Sequence, residues 1–178
     1  MPWLIGAVVG FLVLVAIVAF IGSRLPREHV ATVKVRFGAA PQAVWAVLSD
    51  PYSASTWRKD VKKVERVADI NGHPAWREES GFGVITYELT ESIEPVSRTT
   101  RIVEDNLPYG GQWEYRLSQV ADGSELLVTE RGFVKPALFR FMSRYIFGYT
   151  GTMIVILKQL GAKLGERVTP EVVASGKD

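Results

Sequence analysis

The sequence predicts an α+β domain, a curved antiparallel sheet of about seven strands around one long C-terminal helix, preceded by a single membrane-spanning helix. Three observations predict it. Six short runs between residues 61 and 134 carry strand-like patterning and are separated by turn sequences, which makes them antiparallel neighbours. Leu138, Met142, Tyr145, Tyr149, Ile156, Leu160 and Leu164 recur at steps of three, four and seven through Pro136–Glu166, with Arg140, Arg144, Lys158 and Lys163 mostly off that stripe. Trp3 to Gly22 is twenty residues without a charge, about 30 Å as a helix and enough to cross a bilayer.

Composition narrows the function classes. A chain of 178 residues holds one ordinary domain and an appendage. With 47% hydrophobic and 22% charged residues it is not a disordered chain. Twenty-one basic against 19 acidic residues leave +2, too little to imply nucleic acid, and none is expected as a partner. The absence of cysteine excludes disulfides, thiolate metal sites and cysteine nucleophiles. His29 and His73 lie far apart with no ligand-spaced acids around them, so neither a metal nor a cofactor is expected. Gly81-Phe82-Gly83 reads as a hairpin turn, and Gly161 and Gly165 lie on a helix whose Lys158, Lys163 and Glu166 place it in water. No catalytic triad or Walker motif can be drawn.

The N-terminal span reads as a retained anchor. No lysine or arginine precedes it, and Ala19-Phe20-Ile21-Gly22-Ser23 makes a poor cleavage site, both against a signal peptide. Arg24, Arg27, Lys34 and Arg36 follow it, which places the remaining chain in the cytoplasm under the positive-inside rule. Within Pro136–Glu166 the longest uncharged run is the thirteen residues Tyr145–Leu157, too short for a second crossing. The divisions are an anchor at 1–23, a linker at 24–29, a folded domain at 30–167 and a frayed polar tail at 168–178.

In the domain, Ala31, Val33, Val35 and Phe37 alternate with Thr32, Lys34 and Arg36 as a half-buried strand. Pro41 opens a helix with Val44, Val47 and Leu48 inward and Trp45 beside them, and Asp50-Pro51 stops it. A second short helix, or a loop, follows around Ser53–Trp57. Strands are expected over Val61–Ala68, Ala75–Ser80, Val84–Ile93, Ser97–Glu104, Gly111–Gln119 and Glu125–Val134, with turns at Asn71-Gly72, Glu94-Pro95 and Asp122-Gly123. The closing helix carries Gly148, Gly151, Gly161 and Gly165, each costing about 1 kcal/mol against alanine in a helix interior. It therefore needs tertiary partners, and only it is long enough to cover the sheet's apolar concave face.

The run from Phe37 through Pro41, Trp45 and Asp50-Pro51, followed by Trp57-Arg58-Lys59-Asp60-Val61, resembles the opening of the polyketide cyclase/dehydrase and lipid-transport proteins of the START-like (SRPBCC) superfamily. In element order the resemblance covers about Val30 to Glu166. It implies the helix-grip fold, with a deep cavity between sheet and long helix for a lipid, sterol, polyketide or other apolar molecule. Most such proteins lack an N-terminal span, and this departure favours ligands drawn from a membrane.

Candidate cavity residues are Trp57, Trp76, Tyr87, Trp113, Tyr115, Met142, Tyr145 and Tyr149, since aromatic walls with polar tips suit an amphipathic ligand. Glu78 and Arg131, with Glu130, are the candidate polar groups: a buried carboxyl can be an acid or base, and an arginine can hold a ligand carboxylate or phosphate. The competing reading of these residues is plain core packing and cross-strand ion pairing. No catalytic residue is assigned. The favoured function is membrane-tethered binding, or transport, of a hydrophobic lipid-like molecule; the alternatives are a cyclase or dehydratase on a polyketide-like or aromatic substrate, and a scaffold for a membrane complex.

Overall fold

The computed structural model describes residues 2–81 and 83–176, so the turn expected at Gly81-Phe82-Gly83 lies partly outside the described residues. In chain order the elements are helix α1 (Pro2–Arg24), strand β1 (Glu28–Phe37), helix α2 (Pro41–Leu48), a 3-10 helix (Pro51–Thr56) and strands β2 (Val61–Arg66), β3 (Ala75–Ser80), β4 (Gly83–Ile93), β5 (Ser97–Ile102), β6 (Tyr109–Val120) and β7 (Gly123–Val134). Helix α3 (Ala137–Met142), a π-helical turn (Ser143–Phe147), helix α4 (Gly151–Lys163) and strand β8 (Glu171–Gly176) follow. The eight strands form one antiparallel sheet in the order β2-β3-β4-β5-β6-β7-β1-β8.

The core lies between the β1-β7-β6 half of the sheet and the helices. Ala31, Val33, Val35, Phe37, Leu117, Leu126 and Val128 meet Val44 and Trp45 of α2 and Met153, Leu157 and Leu160 of α4. Met153, Leu157 and Leu160 fall one above another at helical spacing, so α4 buries one face. A Schellman motif ends it: Gly165, at φ +77°, donates to Ala162 O, and the Glu166 amide donates to Gly161 O at 2.8 Å. The Glu166 carboxylate then accepts the amides of Gly38 and Ala39 at 2.8 and 2.9 Å, tying the end of α4 to the turn between β1 and α2.

Two expectations are corrected. The single helix over Pro136–Glu166 is two helices set apart at Gly148, whose φ of +71° an L-residue rarely adopts. Of the glycines expected inside one helix, Gly148 separates two, Gly151 begins the second, Gly161 lies within it and Gly165 ends it, and Leu138 and Tyr145 of the expected inward stripe are exposed. The tail expected to fray forms β8, which pairs with β1 from Lys34↔Glu171 to Val30↔Gly176 and makes β1 an interior strand. An eighth strand covers the edge that β1 would otherwise offer for pairing with another chain.

Helix α1 is long and apolar enough to cross a bilayer, and most of its residues are exposed. Only three residues, Leu25–Arg27, separate it from β1. Helix α3 packs against its last turns, where Val18, Ala19 and Gly22 lose exposure. Gly22 is required there, because a Cβ would sit 1.9 Å from the Ala137 carbonyl oxygen. Buried Arg140 donates from Nε to Gly22 O at 2.9 Å and also bonds Lys135 O, a cation at the negative end of α1.

Candidate ligand-binding site

Strand register sorts the candidate residues into two faces, because opposed residues in an antiparallel pair share a face. Val33, Val128, Tyr115 and Arg98 oppose one another in sequence across β1, β7, β6 and β5, and the two valines are core residues, so this row faces inward. The next row holds Ala31, Glu130, Trp113 and Thr100. Ile102, two residues beyond Thr100, opposes Tyr87, which opposes Trp76; Glu78 opposes Ile85 beside them. The inner face therefore gathers Trp76, Glu78, Tyr87, Trp113 and Tyr115, and Trp57 joins them from the end of the 3-10 helix.

Coverage of this face is uneven. Helix α4 packs on β1, α2 on β6 and β7, and the 3-10 helix on β2. Over the middle strands Tyr87, Trp113 and Tyr115 keep part of their surface accessible although they point inward. Trp76 stacks on Tyr87 with centroids 5.8 Å apart, and Trp113 tilts against Tyr115 at 6.1 Å. Thr100 hydrogen-bonds Tyr115, and burial raises the phenol pKa of both Tyr87 and Tyr115. These phenols stay neutral and offer hydrogen bonds without charge.

Two cationic groups sit among these rings. Arg58 meets Glu78 through both guanidinium nitrogens, Nη1 to Oε2 at 3.0 Å and Nη2 to Oε1 at 2.8 Å, and Nη2 also reaches Asp60 Oδ2 at 2.8 Å. Burial raises the Glu78 pKa, and the Arg58 charge only partly opposes it. Arg58 is likewise desolvated, but Glu78 and Asp60 outweigh that and hold it charged. Arg98 differs: it is 4% exposed, and no described carboxylate pairs with it. Its guanidinium bonds Leu48 O and lies 6.0 and 5.9 Å from the ring centroids of Trp76 and Tyr115. Burial lowers its pKa, the mark of a desolvated cation. Arg98 Nε, Arg58 Nε and Trp57 Nε1 are buried donors without a protein acceptor.

At the other end of the inner face, Tyr149 stacks on His29 with centroids 4.1 Å apart and rings 15° from parallel. His29 Nε2 lies 3.2 Å from Glu130 Oε1. Gly132 makes room for this cluster, since a Cβ there would come within 2.6 Å of the imidazole.

Of the candidates, Trp57, Trp76, Glu78, Tyr87, Trp113, Tyr115 and Tyr149 share this side of the sheet. Arg131 does not: it opposes Gln112 and Val30 on the outer face, is exposed, and pairs with Glu114 at 2.9 Å. Tyr145 is 59% exposed and tilts against Phe141, and Met142 ends α3, outside the core under α4. Both corrections follow from the break at Gly148, which turns this arm toward α1. Arg58, Asp60, Arg98 and His29 were not among the candidates. Ser97-Arg98-Thr99-Thr100-Arg101 has no apolar alternation to reveal which way Arg98 points. A groove of about 560 Å³ on the outer face, lined by Thr99, Gln112, Glu114 and Arg116 among others, is polar and unsuited to an apolar molecule.

Residues 28–152 match the family described as polyketide cyclase / dehydrase and lipid transport. No curated protein matches the chain. Among solved structures, a START superfamily protein from Mycobacterium smegmatis has 16% identity and a TM-score of 0.62, covering 77% of this chain and 97% of its own. The Zhui aromatase/cyclase from Streptomyces sp. R1128 has 17% identity and a TM-score of 0.58, covering 78% and 92%. A conserved protein from Geobacillus kaustophilus has 15% identity and a TM-score of 0.61, covering 81% and 99%. At these identities the likeness is one of fold.

Proposed function

The chain belongs to the polyketide cyclase/dehydrase and lipid-transport family, and from that premise we propose that it binds an amphipathic, lipid-like molecule between the sheet and its helices while α1 anchors it in a membrane. The observation that carries this reading is Arg98. A buried charge without a counter-ion costs several kcal/mol, and a carbonyl with two ring faces offsets only part of that. A ligand whose anionic group meets Arg98 and whose apolar body lies along Trp76, Tyr87, Trp113 and Tyr115 supplies what is missing. The buried donors of Trp57 and Arg58 fit the same acceptor-bearing head. Helix α1 supports the membrane part, since most of it is exposed and carries no charge until Arg24. A tether beside the bilayer raises the local concentration of membrane-dissolved ligand.

The test is native mass spectrometry and lipid extraction of the full chain purified in detergent, with a fluorescent fatty acid and its methyl ester as probes. The expected result is a co-purified amphiphile and preference for the free acid. No co-purified molecule, together with no fatty-acid binding above background, overturns the reading.

A cyclase or dehydratase remains the second reading, supported by Glu78 on the inner face with a raised pKa. Both Glu78 oxygens face Arg58, however, so acid–base work requires that pair to part. Turnover of an aromatic polyketide-like substrate that Glu78→Gln abolishes, with binding intact, would favour it.

A further inference from the structure

The arm between β7 and Gly148 presents an apolar surface that the ligand site does not use. Leu138, Phe139, Tyr145, Ile146 and Phe147 are 40 to 65% exposed, and they crowd into ten residues. In a domain standing free in water such a patch is a liability. Its position says what covers it. The arm is held against α1 by the Gly22–Ala137 approach and by Arg140, and among the described residues of α1 exposure is lost only at Val18, Ala19 and Gly22. From Gly22 back to Val18 the helix rises about 6 Å, so α3 lies beside apolar residues of the span.

We propose that Leu138–Phe147 is an interfacial foot, which buries its apolar face in the leaflet where α1 ends and takes lipid acyl chains as its partner. This rests on α1 being a membrane span. The depth agrees with that of amphipathic segments lying in an interface, about 5–10 Å. The charges agree as well. Arg24, Arg27 and Arg144 are exposed around the arm, with Glu28 the one acid beside them in the chain from Arg24 to β1, and they suit anionic headgroups. Arg140, the charge on the hidden side of the arm, has its guanidinium hydrogen-bonded to Gly22 O and Lys135 O rather than turned to lipid. The foot has a consequence for exchange. The chain leaves it through Gly148 directly into Tyr149, which stacks on His29 at one end of the inner face. That end of the site then sits at the bilayer surface.

The chain has no cysteine, so single cysteines carry a fluorescent label uniquely. Phe139→Cys, Phe147→Cys, Val8→Cys in α1 and Val84→Cys on the outer face would be labelled with an environment-sensitive nitrobenzoxadiazole in the full chain. The labelled proteins go into vesicles of four parts phosphatidylcholine to one part phosphatidylglycerol, with lipids spin-labelled either near the headgroup or near the chain end. The expected result is a blue shift at positions 139 and 147 with loss of emission to the shallow quencher, deep quenching at position 8, and neither at position 84. Deep quenching at position 8 with positions 139 and 147 behaving like 84 overturns the foot and leaves the anchor standing. No quenching at position 8 removes the anchor, and the foot with it. A blue shift at 139 and 147 that disappears on dilution into more lipid assigns the patch to a second copy and overturns the proposal.

Discussion

Removing the Glu166 carboxylate tests how the covering helix is held. Its two oxygens accept the amides of Gly38 and Ala39 at 2.8 and 2.9 Å, and no other side chain links that turn to the end of α4 among the described hydrogen bonds. A hydrogen bond to a charged group contributes about 1.5–3 kcal/mol, and because this site is only partly buried the lower end applies, about 3 kcal/mol for the two. For a chain of this size each kcal/mol moves the melting temperature by about 2–4 °C, so Glu166→Ala should lower it by roughly 6–12 °C. Glu166→Gln keeps one carbonyl acceptor and should lose roughly half as much. Differential scanning fluorimetry in detergent reads the melting temperature, and amide hydrogen exchange at Gly38 and Ala39 localises the effect. A melting temperature for Glu166→Ala within about 2 °C of the parent, with unchanged exchange at both amides, would refute the clamp.

Four further outcomes are expected. Arg98→Leu should cut affinity for the anionic fatty acid by about tenfold or more, the loss of one charged hydrogen bond, while affinity for the methyl ester stays within about twofold; equal losses for both would mean that Arg98 only supports the fold. The raised pKa of Glu78 makes its ionisation destabilising, so stability from this group is complete below the ordinary carboxylate value of 4.5 and declines as pH rises through the folded-state value. A melting curve against pH should show that decline, and Glu78→Gln should flatten it; an unchanged slope in the variant assigns the decline elsewhere. Gly132→Ala should force His29 off Tyr149, since the added Cβ meets the ring at 2.6 Å, and should cost about 1–3 kcal/mol in denaturant titration. Gly148→Ala should cost about 1–3 kcal/mol from backbone conformation alone, because nothing lies within 4 Å of the added Cβ; no measurable loss of stability would show that the break at Gly148 relaxes.

Much of the sheet was legible because alternation states a face as well as a strand. Val33, Val35 and Phe37 announce β1, and the turns at Asn71-Gly72 and Asp122-Gly123 make the order of strands nearly compulsory. Trp76, Tyr87, Trp113 and Tyr115 could be placed together for the same reason. The arm was not legible. Leu138, Met142 and Tyr145 keep helical phase with Tyr149, and periodicity cannot register that one positive φ at Gly148 turns the chain away. Nor could it foresee that α1 would supply the arm's packing partner. Strand β8 was hidden in the short stretch Glu171–Gly176, whose pairing depends on the free edge of β1, a property of the assembled sheet. Arg58 and Arg98 were passed over because a charged residue in a strand or turn is ordinarily solvated, and only the fold turns these two inward.

The three residues between α1 and β1 alter what the N-terminal helix is. A long linker would make it a leash, letting the domain tumble and sample the bilayer at random. Here Leu25–Arg27 leads at once into an interior strand, Val134 donates to Arg27 O at 2.8 Å, and α3 grips the last turns of the helix. On the proposed reading of α1 as a span, the helix is a mounting, and its tilt in a membrane would dictate which way the rest of the molecule faces. One end of the inner face is thereby given a fixed bearing, and a slip of α1 along its own axis would raise or lower that end by the same distance.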